Sequence, residues 1–96
     1  MTLIAEKDCF WQAAQSRDLG KLTGLQLSLT GAHDRWCEQD YHYKGREISE
    51  VALQTLAEYK PRSEMNKTTH ASLVKSFELL RDSFWAAECE WKRGAA

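Results

Sequence analysis

With 96 residues, 43% of them hydrophobic and including four Trp, three Tyr and three Phe, the chain is sized for a single domain over residues 1–96 with one core and no need of a metal or disulfide staple. Its 13 Lys+Arg and 14 Asp+Glu are spread evenly, 6 against 7 in residues 1–48 and 7 against 7 in residues 49–96, so no basic half is available to neutralise phosphates. The longest uncharged run, residues 22–33, is broken by Gly24, Gln26 and Gly31, which excludes a membrane-spanning segment of about 20 apolar residues.

The N-terminal stretch MTLIAEKDCFW has no basic n-region and carries Glu6, Lys7 and Asp8 where a signal peptide would be apolar. It reads instead as the start of a helix from about Leu3 to Arg17. Leu3, Ile4, Phe10, Trp11 and Ala14 form its apolar face, with Thr2 as cap and Gly20 beyond its end. Cys9, Cys37 and Cys89 are odd in number and include no CxxC pair, which fits reduced, buried thiols and a cytoplasmic location.

The middle of the chain supports two readings. Thr23-Gly24-Leu25-Gln26 fits a capping box, and Leu25, Leu29, Ala32, Trp36 and Tyr43 keep helical spacing to about Gly45 with one break at Gln39. Alternation of Leu25, Leu27 and Leu29 with polar residues, and the Tyr41-His42-Tyr43-Lys44-Gly45-Arg46 stretch, allow a β-hairpin within residues 24–48 instead. Helix is the preferred reading, because cap and stripe agree over some twenty residues.

A third helix is expected from about Glu50 to Lys60, capped by Ser49, striped by Val51, Ala52, Leu56 and Tyr59, and stopped by Pro61. The clearest element runs from about Thr69 to Arg93, where Leu73, Phe77, Leu80, Phe84, Ala87 and Trp91 alternate steps of four and three. Thr68 or Thr69 suits its N-cap, Lys92 and Arg93 its last turn, and Gly94 a left-handed C′ position. The expected fold class is therefore all-α, a small four-helix bundle-like domain with a long C-terminal helix; the alternative is α+β with the hairpin.

The stretch HDRWCEQDYHY, residues 33–43, gathers metal-ligating and aromatic side chains. On a helix His33, Cys37 and Asp40 share a face, and an imidazole, a thiolate and a carboxylate are reasonable zinc ligands, with His70 as a possible fourth. The same residues are explained more simply by Trp36 in the core, Cys37 as a small hydrophobe beside it, and Asp34, Arg35, Glu38 and Asp40 on a solvated face. A Cys37 nucleophile activated by His33 also needs an oxyanion hole. No catalytic residues, metal or cofactor are assigned from the sequence, and no P-loop, dinucleotide fingerprint, GxSxG or HExxH occurs.

Function is then sought in binding. Trp11, Trp36 and Trp91 fall on core stripes, whereas Leu79 and Trp85 lie off the C-terminal seam and are the best candidates for a partner-facing surface. With the acidic residues Asp34, Glu38 and Asp40 they point to a non-catalytic protein-binding module, a small regulator, adaptor or inhibitor that covers a surface on a larger partner. The long aromatic seam also suggests a homodimer through the C-terminal helix. Two other classes are weaker: a nucleic-acid-binding regulator using Lys60, Arg62, Lys67, Lys92 and Arg93, and a metal-binding sensor or enzyme using His33, Cys37 and Asp40.

Overall fold

A computed structural model describes the backbone of residues 3–95 and the side chains of residues 4–94. Four helices follow one another: α1 (Leu3–Ala14), α2 (Leu19–Glu38), α3 (His42–Glu58) and α4 (Glu64–Ala95). The described residues contain no strand, so Leu25, Leu27 and Leu29 belong to α2 and the hairpin alternative does not form. Thr2, the expected cap of α1, lies outside the described residues.

The boundaries move in instructive ways. Thr23 is not an N-cap: Asp18 opens α2, its Oδ1 accepting from the backbone N–H groups of Gly20 (2.8 Å) and Lys21 (3.3 Å). Gly20 thus sits in the first turn of α2, and α1 stops at Ala14, short of Arg17. Thr68 and Thr69 likewise lie inside α4, whose start is held by Ser63, the Oγ accepting from the N–H of Asn66 at 3.1 Å. Ser49, expected as a cap, is buried within α3 and donates to the carbonyl of Gly45 at 2.8 Å. Gly94 stays helical and has no left-handed φ. The middle region is two helices rather than one, parted at Gln39–Tyr41, where Asp40 adopts φ 56°.

α4 packs chiefly on α3 and also on α2, while α1 lies against α2 and α3, so the α2–α3 pair is held between α1 and α4. The core between them contains Leu22, Leu25, Leu29, Ala32 and Trp36 of α2, Ile48, Ala52 and Leu56 of α3, and Leu73, Phe77, Leu80 and Phe84 of α4. Helices α3 and α4 approach closely because Gly45 has no side chain; a Cβ there would stand 2.5 Å from ring carbons of Phe84. On the other side, the Glu6 carboxylate of α1 accepts from Arg35 at 2.7 and 3.0 Å and from the indole N–H of Trp36 at 2.6 Å, clasping α1 to α2. The Thr55 hydroxyl reaches the carbonyl of Ala14 at 2.6 Å, fixing the end of α1 to α3.

The apolar stripes are covered unevenly. Trp36 is fully buried and Trp11 partly, but Trp91 is 48% exposed, because α3 begins only at His42 and leaves the last turns of α4 uncovered. Ile4 is also exposed, and Cys9 and Cys89 are exposed thiols rather than buried ones.

Candidate functional site

Helices α2 and α4 run in the same direction, since Thr23 and Gln26 lie beside residues 68–76 and His33 beside Ser83. Just outside the core seam, α4 presents Thr69, Ser72, Ser76, Leu79 and Ser83, at alternating steps of three and four; α2 presents Thr23, Gln26, Thr30, His33 and Asp34. Small side chains at these positions do not fill the valley between the helices. A cavity of about 430 Å³ remains, lined by Gln26, Thr30, His33, Asp34, Ser76, Leu79, Leu80 and Ser83. A second hollow of about 280 Å³ shares Gln26 and Ser76 and continues it towards Thr68.

Most hydroxyls on these walls are already engaged. Thr23 donates to the carbonyl of Leu19 (2.8 Å), Thr30 to that of Gln26 (2.7 Å) and Thr68 to that of Glu64 (3.1 Å). At the Ser83 end the His33 ring contacts Phe84, with centroids 4.6 Å apart; Nε2 lies 2.7 Å from Ser83 Oγ and Nδ1 lies 2.9 Å from Asp34 Oδ1. The order Ser83–His33–Asp34 resembles a nucleophile relay. Ser83, however, stands in the interior of α4, where backbone N–H groups close the helix ladder and are not free to form an oxyanion hole, and Asp34 is exposed rather than held in a buried, orienting position. Burial, followed by the nearby charge of Asp34, pushes the Cys37 thiol up from its ordinary value, which keeps it protonated at neutral pH.

The residues singled out from the sequence are distributed over three places. Asp34 and Leu79, forty-five positions apart, line one cavity. Glu38 is exposed one helical turn beyond Asp34, and Asp40 lies in the α2–α3 turn. Trp85 is on another side of α4, under the Arg46 guanidinium at 5.3 Å and beside Glu88, Cys89 and Lys92. Gln26, Thr30, Ser76 and Ser83 belong to the groove although nothing in their types marked them out.

The other constellations do not assemble. His33 and Cys37 are neighbours, with Nε2 and Sγ 3.8 Å apart, but Asp40 falls past the end of α2. His70 lies about 20 Å from Ser83 towards the start of α4 and is bonded to the carbonyl of Leu56 at 2.6 Å. Among the described residues no three His, Cys, Asp or Glu side chains form a metal-ligand group. Lys60, Arg62 and Lys67 surround the α3–α4 junction, whereas Lys92 and Arg93 are about 37 Å away at the other end of α4, so the five bases make no common patch. No described helix is long and apolar enough to cross a membrane. Comparison with known proteins found no match to a family model, a curated protein or a solved structure.

Proposed function

We propose that this protein is a non-catalytic protein-binding module, a small regulator, adaptor or inhibitor, and that it engages a larger partner through the α2–α4 groove. One observation carries the reading: Leu79, a large apolar side chain 63% exposed, and Asp34, among the described residues the one carboxylate lining the cavity, stand together at a concave surface to which no described Lys or Arg contributes. An apolar ridge beside a single sign of charge is the composition that gives a docking surface both contact area and orientation. Free, exposed Cys9 and Cys89 suit a reducing compartment such as the cytoplasm. Trp85 stands outside this surface; its ring is part of the packing of Arg46, which also pairs with Glu50 and Glu88.

Capture from a lysate of the source organism, read by mass spectrometry, tests the proposal. A protein retained in stoichiometric amount by the parent chain and by Trp85→Glu, but lost with Leu79→Glu and Asp34→Lys variants of unchanged circular dichroism, is the expected result. Full retention by both groove variants disproves the assignment.

A further inference from the structure

We infer that the occupant of the groove is a single amphipathic α-helix of the partner, antiparallel to α2 and α4, with Lys or Arg in its N-terminal turn. The inference rests on the reading of the groove as a binding surface and adds what fills it. Length comes first. The two adjoining hollows extend along α4 from Thr69 to Ser83, fourteen residues or about 21 Å, which matches about four turns of helix.

Shape is the second argument. Ser72, Ser76 and Ser83 let a backbone cylinder come close, and Leu79 and Leu80 provide the apolar contact at the centre, as in helix-in-groove recognition. An extended strand finds no open sheet edge here, because the backbone groups of both walls are used within α2 and α4. The hydroxyls of Thr23, Thr30 and Thr68 keep their helical carbonyl partners when water leaves, so covering them leaves no donor unpaired.

Direction follows from charge. Asp34 lies at the end of the groove marked by Ser83, with Glu38 one turn further along α2 and Asp82 next to Ser83 on α4. Asp82 is held by Arg81 at 3.1 Å, and among the described residues Asp34 pairs with the imidazole of its neighbour His33. α2 ends at Glu38, one turn beyond Asp34, so an antiparallel third helix brings its partly positive N-terminus to the negative end of α2 and to Asp34. A basic side chain in that first turn completes the match.

Two designed, hydrocarbon-stapled helical peptides of about sixteen residues, identical in a Leu/Ala face and differing only in Lys or Glu in the first turn, provide the test with the full chain. Fluorescence anisotropy and amide chemical shifts are the readouts. The Lys peptide is expected to bind at least about fivefold more tightly than the Glu peptide and to shift amides of residues 23–34 and 69–83; Asp34→Lys is expected to reverse the preference, and Ser76→Trp to abolish binding by filling the groove. Binding of neither peptide, equal binding of both, or shifts confined to other surfaces overturns the helix inference. If the peptides fail while Ser76→Trp still abolishes capture of the cellular partner, the groove remains the binding surface and only its occupant is wrong; if Ser76→Trp leaves capture intact, the functional reading itself falls. Self-association of the parent chain that Ser76→Trp abolishes assigns the groove to a second copy and equally overturns the proposal.

Discussion

α4 makes two contacts along its length, and they are opposites. Against α3 the contact is closed: Gly45 admits the Phe84 ring, Ile48, Ala52 and Leu56 are fully buried, and Arg46 joins Glu88 at 2.7 Å along the edge. Against α2 it is closed only at the depth of Leu73, Phe77, Leu80 and Phe84, and one strip further out it opens into the groove. A glycine that lets a phenylalanine ring fill the space between two helices leaves no valley, whereas a serine strip beside a leucine seam leaves one. The same helix thus supplies stability on one side and an unfilled surface on the other.

The sharpest way to break the closed side is Gly45→Ala. Alanine favours a helix over glycine by about 1 kcal/mol, but the new methyl group would meet Phe84 at 2.5 Å, so the ring or the helix must move. A net loss of about 1–3 kcal/mol is expected, read as a lower urea midpoint at unchanged m value. A glycine-to-alanine change at an exposed position of α2, Gly31→Ala, meets nothing within 4 Å and is expected to stabilise slightly.

Next in size is Glu6→Ala. It frees Arg35 to water, but it leaves the indole N–H of Trp36, a fully buried residue, without its 2.6 Å acceptor. The expected cost is about 1–3 kcal/mol, and Glu6→Gln, which keeps an acceptor, should recover part of it.

These two sites also show what one dimension discloses and what it hides. Leu73, Phe77, Leu80 and Phe84 announced the α4 seam because their spacing is a property of the helix that carries them, and Trp36 was readable as core for the same reason. Caps were misplaced because Thr23 and Thr68 have the residue type of a cap and the hydroxyl chemistry of a mid-helix residue, each donating to the carbonyl four residues earlier. The signal for the α2–α3 break was Asp40, one of the few non-glycine types that tolerates a left-handed φ. Trp91 fits the seam, yet its exposure depends on where another helix starts. Asp34 and Leu79 were each recognised, but their meeting depends on α2 and α4 running in parallel, a tertiary fact with no local sequence signature.

His42 offers a gain instead of a loss. It is 4% exposed, packs against Trp91 with ring centroids 5.7 Å apart, and neither of its ring nitrogens has a hydrogen-bond partner among the described residues. Replacing an unsatisfied buried polar ring by an apolar one of similar shape removes that penalty, so His42→Phe is expected to raise stability by about 1 kcal/mol, a shift of some 4–8 °C in Tm.

Acid should loosen both edges together. Hydrogen bonding to Arg35 holds the Glu6 carboxyl below the usual range, and hydrogen bonding to Arg46 does the same for Glu88. Because these values are depressed on folding, the stabilisation is fully present above the unfolded glutamate value of about 4.3 and is lost as pH falls through the folded values. Urea midpoints are therefore expected to hold through neutral pH and to drop below about pH 4, with a shallower drop in Glu6→Gln.

The smallest effect on stability is expected where the effect on binding is greatest. Leu79 is 63% exposed and belongs to none of the closed contacts of α4, so Leu79→Glu removes little buried apolar surface in the free protein and should change stability by less than about 0.5 kcal/mol. Leu80, its chain neighbour, is 7% exposed and part of the core, and Leu80→Ala should cost about 2–5 kcal/mol. Thermal denaturation of the two variants side by side separates the surfaces: a large loss in Leu79→Glu would mean that the groove is a structural contact after all. Equal stability of Leu79→Glu and the parent, combined with loss of partner capture, is the outcome that a binding surface requires and a core surface forbids.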